Sequence, residues 1–162
     1  MNDKIELGMK CRDTITGFTG ITTIQTEYRN GCLRLVLESA DRNSDGEVIP
    51  ACIFDIQQLE IVDSTKPSIK IVRSSIKMNA EVKDIVTGIE GVVVAISTVL
   101  GGLPEIGIQP KKLKTDGAPA NPHFFTENRI QIIQDAEAKE EPKKRTGGPQ
   151  SLEPTLPGDR IR

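Results

Sequence analysis

Short runs of alternating apolar and polar residues, separated by turns rich in glycine and aspartate, characterise the first 135 residues of the chain. Such runs cover residues 8–13, 21–28 and 33–38; a fourth ends at Phe54, and a fifth covers residues 59–61. Alternation with a period of two predicts half-buried β-strands. Because no helical periodicity accompanies these runs, the pattern predicts an all-β fold.

The pattern occurs twice. A shift of 71 residues, without a gap, superposes the glycines, aspartates and apolar positions of the first half on those of the second. Repeats define architecture before any motif does, and this one predicts a first domain at residues 1–63 and a second at residues 76–135. Residues 64–75 would be a linker or an edge strand, and residues 136–162 an extended or disordered arm. We expect two rigidly packed domains rather than two independent ones, because a unit of about 60 residues buries only about 60% of its unfolded surface and would be marginally stable alone.

Glycine and aspartate at matching positions predict the turns of both copies. Glycine tolerates positive φ, and an aspartate three residues before a Thr-Gly turn can accept hydrogen bonds from the turn backbone. Asn30-Gly31 and Gly101-Gly102 indicate tight hairpins. The predicted structural turn residues are Asp13, Gly17, Gly20, Gly31, Gly46, Asp84, Gly88, Gly91, Gly102 and Gly117.

Five short strands, with a brief turn before the last, resemble an SH3-like small barrel. Residues 11–21, repeated as residues 82–92, are similar to the KOW-type signature of such barrels. A longer part of the module, through residues 28–32 to Phe54 and Leu59, resembles a group of small tailed-phage and prophage proteins. The resemblance implies two tandem five-stranded SH3-like barrels and a phage origin. The extended C-terminal arm is predicted from composition instead, because residues 136–162 are rich in charged residues, proline and glycine and cannot bury enough apolar surface to order themselves.

Composition argues against several classes of protein. The chain has 21 basic and 23 acidic residues, no Trp, three Cys and a single His. With His123 alone, no activated Cys–His pair, no phosphate-binding glycine loop and no GxSxG motif, we expect a protein that is not an enzyme and needs no cofactor. No apolar run approaches the ~18 residues of a membrane span, so we expect no membrane contact and no export signal.

One segment partly matches a calcium-binding loop. Asp41, Asn43 and Asp45, followed by Gly46, are spaced as in the first half of such a loop. The twelfth position, however, is Cys52 instead of a bidentate glutamate, and only Asp-Gly is common to both copies. These three residues are weak metal candidates, and the hairpin interpretation of Asp-Gly is favoured.

Charge is distributed unevenly between the copies. Residues 1–63 carry 6 basic and 11 acidic groups, net −5, whereas residues 64–135 carry 9 and 7, net +2. Complementary potentials of this kind can orient one chain against another. They argue against nucleic acid as the main partner, although a basic loop lies at residues 111–114.

We therefore expect a non-enzymatic structural or adaptor protein of a tailed-phage virion, at the head surface, as a decoration protein or at the head–tail connection. It would contact capsid, connector or other virion proteins, form a homo-oligomer or symmetric assembly, and reside in the host cytoplasm during assembly. Two alternatives are a KOW-like module that binds nucleic acid or the transcription and translation machinery, and a regulator that sequesters a host factor. The predicted interface residues are Phe18, Tyr28, Arg29, Lys111, Lys112, Lys114, Lys143, Lys144, Arg145, Leu152 and Leu156.

Overall fold

The computed structural model describes residues 4–136, and these form an all-β fold without an α-helix, as the sequence predicts. Short 3-10 helices, Ile56–Gln58 and Glu127–Arg129, precede the last strand of each half. The strands of the first half are β1 (Lys10–Asp13), β2 (Thr19–Tyr28), β3 (Leu33–Glu38), β4 (Cys52–Asp55) and β5 (Leu59–Asp63). Those of the second half are β6 (Glu81–Asp84), β7 (Glu90–Val99), β8 (Glu105–Pro110), β9 (His123–Thr126) and β10 (Ile130–Gln134).

All ten strands belong to one antiparallel sheet. The first half pairs in the order β5-β1-β2-β3-β4, and the second repeats it as β10-β6-β7-β8-β9. Strands β2 and β7, ten residues each, also pair with one another and join the halves. This connection through the backbone of both long strands makes the sheet continuous.

Each half has its own hydrophobic cluster, formed by residues at equivalent positions. Alternation on the strands sends one side chain in two to the cluster, so that Leu35 and Leu37 are fully buried in the first half and Ile106 and Ile108 in the second. The first cluster comprises Ile5, Leu7, Met9, Cys11, Leu35, Leu37 and Leu59. The second comprises Ile76, Ala80, Val82, Val93, Ile106 and Ile108.

The pairing of β2 with β7 has approximate two-fold symmetry. Thr26 lies opposite Ser97, which is the residue at the same position in the second copy. On either side, the Arg29 N–H donates to the Val94 carbonyl at 2.8 Å, and the equivalent Leu100 N–H donates to the Thr23 carbonyl at 2.8 Å. An internal two-fold axis therefore passes between Thr26 and Ser97, and both hydrophobic clusters lie on the same side of the shared strands.

Two of the predicted turn glycines have a different role. Gly20 and Gly91 lie inside β2 and β7, and neither has a positive φ. A Cβ on Gly20 would lie 2.6 Å from the Glu38 carbonyl oxygen, and one on Gly91 would lie 2.1 Å from that of Gln109. These glycines are required by the close approach of two strand backbones and not by a turn.

The other turn predictions agree with the structure except in one hairpin. Gly17, Gly46, Gly88 and Gly117 have φ values between 75° and 80°, and Gly31 has 83°. In the hairpin between β7 and β8 the positive φ, 72°, falls on Gly101 and not on the predicted Gly102. The positive φ of the second hairpin therefore lies one residue earlier than that of the first, whereas the strand register is the same, since Thr26 pairs with Arg34 and Ser97 with Glu105.

The segment between the halves does not form an edge strand. Ile71 makes an isolated β-bridge to Leu100, and residues 64–70 are exposed. Ile71 also packs against the first cluster, although it follows the first half in sequence. The linker is thus held against the sheet at Ile71, while Lys66 pairs with Glu6 of the first half and Ser75 donates to Glu127 of the second.

Candidate protein-binding face

The candidate site is the surface of β4, β3, β2, β7, β8 and β9 that faces away from both hydrophobic clusters, here called the outer face. These six strands pair consecutively, so their outward side chains form rows that cross the sheet. Neighbours in one row lie on adjacent strands at directly opposed positions.

Two of these rows are apolar and are related by the internal two-fold axis. In each, one residue at the end is well exposed: Ile53 at 65% and Phe124 at 45%. A large exposed apolar residue at the equivalent position of both copies is consistent with a contact site. The first row consists of Ile53, Val36, Ile24 and Val99. The second consists of Phe124, Gly107, Ala95 and Tyr28.

The two rows differ in how they fill the same space. Val36 lies opposite Ile53 in the first, whereas Gly107 lies opposite Phe124 in the second. The Phe124 ring covers Gly107 so closely that an added Cβ would lie 3.0 Å from the ring carbons. The Gly107–Phe124 pair of the second row thus takes the place of the Val36–Ile53 pair of the first, and both rows are apolar.

A polar row separates the apolar rows and contains the symmetry axis. At its centre the hydroxyl groups of Thr26 and Ser97 are 2.7 Å apart and buried. On one side, Arg34 Nε donates to Asp55 Oδ1 at 2.9 Å, and its guanidinium lies 5.6 Å from the centroid of the Tyr28 ring. The hydrogen bond to Asp55 raises the pKa of Arg34. On the other side the position of Arg34 is taken by Glu105, which lies opposite Thr126.

An open groove adjoins the first apolar row. It has a volume of about 720 Å³ and is lined by Thr16, Gly17, Phe18, Cys52, Ile53 and Phe54. Phe18 and Phe54 form its apolar floor, with ring centroids 5.7 Å apart, and both pack against the first cluster. The groove offers room for an apolar side chain of a partner next to Ile53.

The predicted interface residues are dispersed over the molecule. Tyr28 lies in the second apolar row, Phe18 lines the groove, and Arg29 is exposed just beyond β2. Lys111 and Lys112 line a cleft of about 270 Å³ on another part of the surface, and Lys111 forms an ion pair with Glu81. Lys114 is exposed nearby. The predicted arm residues Lys143, Lys144, Arg145, Leu152 and Leu156 lie outside the described residues.

Ile53 and Phe124 were missed by the sequence analysis. Both precede a phenylalanine that packs against a cluster, so the alternation assigns them to solvent. The available signal was the repeat: a large apolar residue stands on the solvent side at the same place in both copies, where a polar residue is expected.

The two aspartates that the sequence places before the Thr-Gly turns are structural. Thr16 donates to Asp13 Oδ2 through its backbone N–H at 2.7 Å and its hydroxyl at 2.6 Å, and Thr87 repeats both bonds on Asp84. These bonds lower the pKa of Asp13. The pKa of Asp84 is lowered further, because Arg129 donates to both carboxylate oxygens at 2.9 Å.

The equivalent of Arg129 in the first half is Gln58, and Asp13 lacks that second partner. Asp13 Oδ1 is buried and accepts no hydrogen bond from any described residue. Each carboxylate is thus directed into its own turn, and the two lie in separate halves of the sheet. The arrangement serves the turns and does not bring two carboxylates to one substrate.

The weak metal candidates form a hairpin. Asn43 Oδ1 accepts the backbone N–H groups of Asp45 and Glu47, at 3.0 and 2.8 Å, and is thereby used within the loop. In residues 4–136, no three side chains of His, Cys, Asp or Glu are grouped so that they could hold a metal ion. The same residues include no helix long and apolar enough to cross a membrane.

A scan of protein-family models and searches of curated proteins and of solved structures found no significant match to this chain.

Proposed function

We propose that the protein is a non-enzymatic structural or adaptor protein built from two tandem SH3-like barrels, and that it acts in a tailed-phage virion by binding capsid, connector or other virion proteins. The strand order β5-β1-β2-β3-β4, with a 3-10 helix before β5, supports the barrel assignment. Its repetition in the second half supports two barrels. The phage context rests on the resemblance of residues 11–59 to small phage and prophage proteins.

The observation that carries the binding role is the pair of apolar rows on the outer face. Exposed apolar surface is costly to keep, and here it stands at equivalent positions in both copies, ending at Ile53 and Phe124. Because an internal two-fold axis relates the rows, the face suits a partner that is itself two-fold symmetric, or two identical subunits side by side. Such bivalent contact raises affinity without new kinds of contact.

The Arg34–Asp55 ion pair and Glu105 add direction to this symmetric face. Arg34 and Glu105 occupy equivalent positions on the two sides of the axis, so that one side carries a neutral ion pair and the other an acidic side chain with no ion pair to a described residue. A partner with complementary charges would bind in one of the two orientations. The face can therefore combine apolar affinity with a defined orientation, as a structural component requires.

The test is quantitative mass spectrometry of purified phage particles from the source of the gene, together with retention of the purified protein on DNA and RNA at several salt concentrations. A fixed copy number that survives a high-salt wash would support the proposal. Absence from particles combined with salt-dependent retention on nucleic acid would overturn it in favour of the nucleic-acid alternative. Absence from both would leave the regulator alternative.

A further inference from the structure

The hairpins between β3 and β4 and between β8 and β9 have the same backbone and opposite charge. The acidic hairpin, residues 40–48, carries one basic and three acidic residues; the basic hairpin, residues 111–119, carries three basic and one acidic. The shift of 71 residues superposes one on the other. Their side chains are exposed except for the half-buried Ala118.

Hydrogen bonding shows that the two hairpins are true structural equivalents. In the acidic hairpin, the Asn43 N–H donates to the Glu47 carbonyl at 3.0 Å, and Gly46 has a φ of 79°. In the basic hairpin, the Lys114 N–H donates to the Ala118 carbonyl at 2.8 Å, and Gly117 has a φ of 80°. The difference between them lies in the side chains and not in the shape of the loop.

The sheet sends the hairpins in opposite directions. The acidic hairpin begins beside the start of β2, because Glu38 lies opposite Ile21. The basic hairpin begins beside the start of β7, because Pro110 lies opposite Gly91. Since β2 and β7 are antiparallel to one another, their starts point to opposite ends of the molecule. The acidic hairpin therefore lies at one end of the molecule and the basic hairpin at the other.

Each hairpin also presents an apolar side chain beside its charges. Val48 is 66% exposed in the acidic hairpin and Leu113 is 59% exposed in the basic one. The only cation of the acidic hairpin, Arg42, is bound to its own loop, with Nη1 donating to the Gly46 carbonyl at 3.0 Å. Asp41, Asp45 and Glu47 make no ion pair with a described residue, nor do Lys112 and Lys114.

We propose that the acidic hairpin of one chain binds the basic hairpin of a second copy, so that the protein associates head to tail. Association of like ends would bring like charges together, whereas head-to-tail contact pairs Asp41, Asp45 and Glu47 with Lys112 and Lys114 and buries Val48 against Leu113. Such heterologous contact produces a ring if the rotation closes and a filament if it does not. The inference deepens the proposed function by naming a second copy of this chain as one of the partners.

The test is sedimentation velocity of the full chain over a range of protein and salt concentrations, with two charge-reversed variants. Lys112→Glu/Lys114→Glu gives a molecule with two acidic ends, and Asp41→Lys/Asp45→Lys gives one with two basic ends. We expect the unaltered chain to self-associate at low salt, and each variant alone to associate more weakly by on the order of tenfold, because attraction is replaced by repulsion. An equimolar mixture of the two variants should associate again.

Matched controls separate this contact from a general effect of charge. Lys70→Glu/Lys77→Glu changes the net charge as much as the first variant, at exposed residues outside both hairpins, and should leave association unchanged. Circular dichroism of every variant checks folding. A monomeric unaltered chain at all concentrations, variants that associate as the unaltered chain does, or a mixture that fails to recover would each overturn the inference. Mass spectrometry of particles tests the virion proposal separately. The head-to-tail association can therefore fail while the virion role holds, and the reverse.

Discussion

The hydroxyl oxygens of Thr26 and Ser97 lie 2.7 Å apart, buried at the point where the internal two-fold axis crosses the sheet. These residues are equivalent in the repeat and oppose one another across β2 and β7. The hydrogen bond therefore joins a residue to its own counterpart, as a contact on the axis of a homodimer would. The two copies of the sequence repeat thus pair with each other through equivalent residues.

The Thr26–Ser97 pair gives a double-mutant prediction. Thr26→Val or Ser97→Ala alone leaves a buried hydroxyl without its partner and should lower the free energy of unfolding by about 1–3 kcal/mol. The double variant should cost less than the sum of the two, because no hydroxyl is left unsatisfied. Urea denaturation followed by circular dichroism measures each value. Strictly additive effects would show that the two hydroxyls do not stabilise one another.

The sequence predicts much of this fold because the repeat supplies each strand twice. The residue types at the turns also predict their hydrogen bonds: Asp13 and Asp84 accept backbone N–H groups of the turns that follow them. The pairing of β2 with β7 could not be predicted, since alternation says which face a residue occupies but not which strand lies beside it. For the same reason the outer face, with Ile53 and Phe124, emerges only when the sheet is assembled.

Arg129 and Gln58 provide a comparison between the two halves. Arg129→Gln removes the second partner of a buried carboxylate and should lower the melting temperature clearly. Gln58→Arg gives Asp13 Oδ1 a donor at the equivalent place and should raise it. Differential scanning calorimetry tests both. As a control, Arg73→Gln changes an exposed arginine that makes no ion pair with a described residue and should have little effect. A destabilising Gln58→Arg would mean that the first half cannot accept the second half's arrangement.

Stability should fall in acid through Asp84. Its pKa is lowered in the folded protein, chiefly by the hydrogen bonds from Arg129, whereas an unfolded aspartate has a pKa of about 3.9. The unfolded chain thus binds the proton at higher pH, so this contribution is fully present above pH ~4 and is lost progressively as the pH falls below it. Asp13 acts in the same direction.

Melting temperatures from pH 7 to pH 2 measure this dependence. Asp84→Asn should be less stable than the unaltered chain at pH 7 and should lose less stability between pH 5 and pH 2. Glu38→Gln, which changes an exposed glutamate outside both hairpins that makes no ion pair with a described residue, is the control and should follow the unaltered curve. If Asp84→Asn had the full acid dependence, other carboxylates would have to account for it.

The outer face predicts substitutions that separate binding from folding. Ile53→Ser and Phe124→Ser remove the exposed ends of the apolar rows. Ile53→Ser should change the free energy of unfolding by only about 0.5 kcal/mol, and Phe124→Ser should cost about 1 kcal/mol, because its ring covers Gly107. Together they should weaken binding to virion proteins by about 2 kcal/mol or more, roughly 30-fold, if these residues are central to the contact. Co-sedimentation with particles that lack the protein measures the binding. Ile85→Ser, similarly exposed but in the turn after β6 and outside both hairpins, is the control; equal losses in all three variants would argue against a binding role specific to the outer face.

Joining the halves through β2 and β7 should make them unfold together. Cys11 belongs to the first cluster, is fully buried, and has a pKa raised by that burial, so its thiol should react with a labelling reagent only when the first half opens. Ile106→Ala creates a cavity in the second cluster and should cost about 2–5 kcal/mol. If the halves are coupled, labelling of Cys11 accelerates in Ile106→Ala about as much as in Leu35→Ala, which alters its own cluster. All variants are made in a Cys32→Ser/Cys52→Ser background, so that only Cys11 can be labelled.

Acceleration in Leu35→Ala alone would mean that the first half opens independently. The β2–β7 pairing would then hold the halves together without making them one cooperative unit.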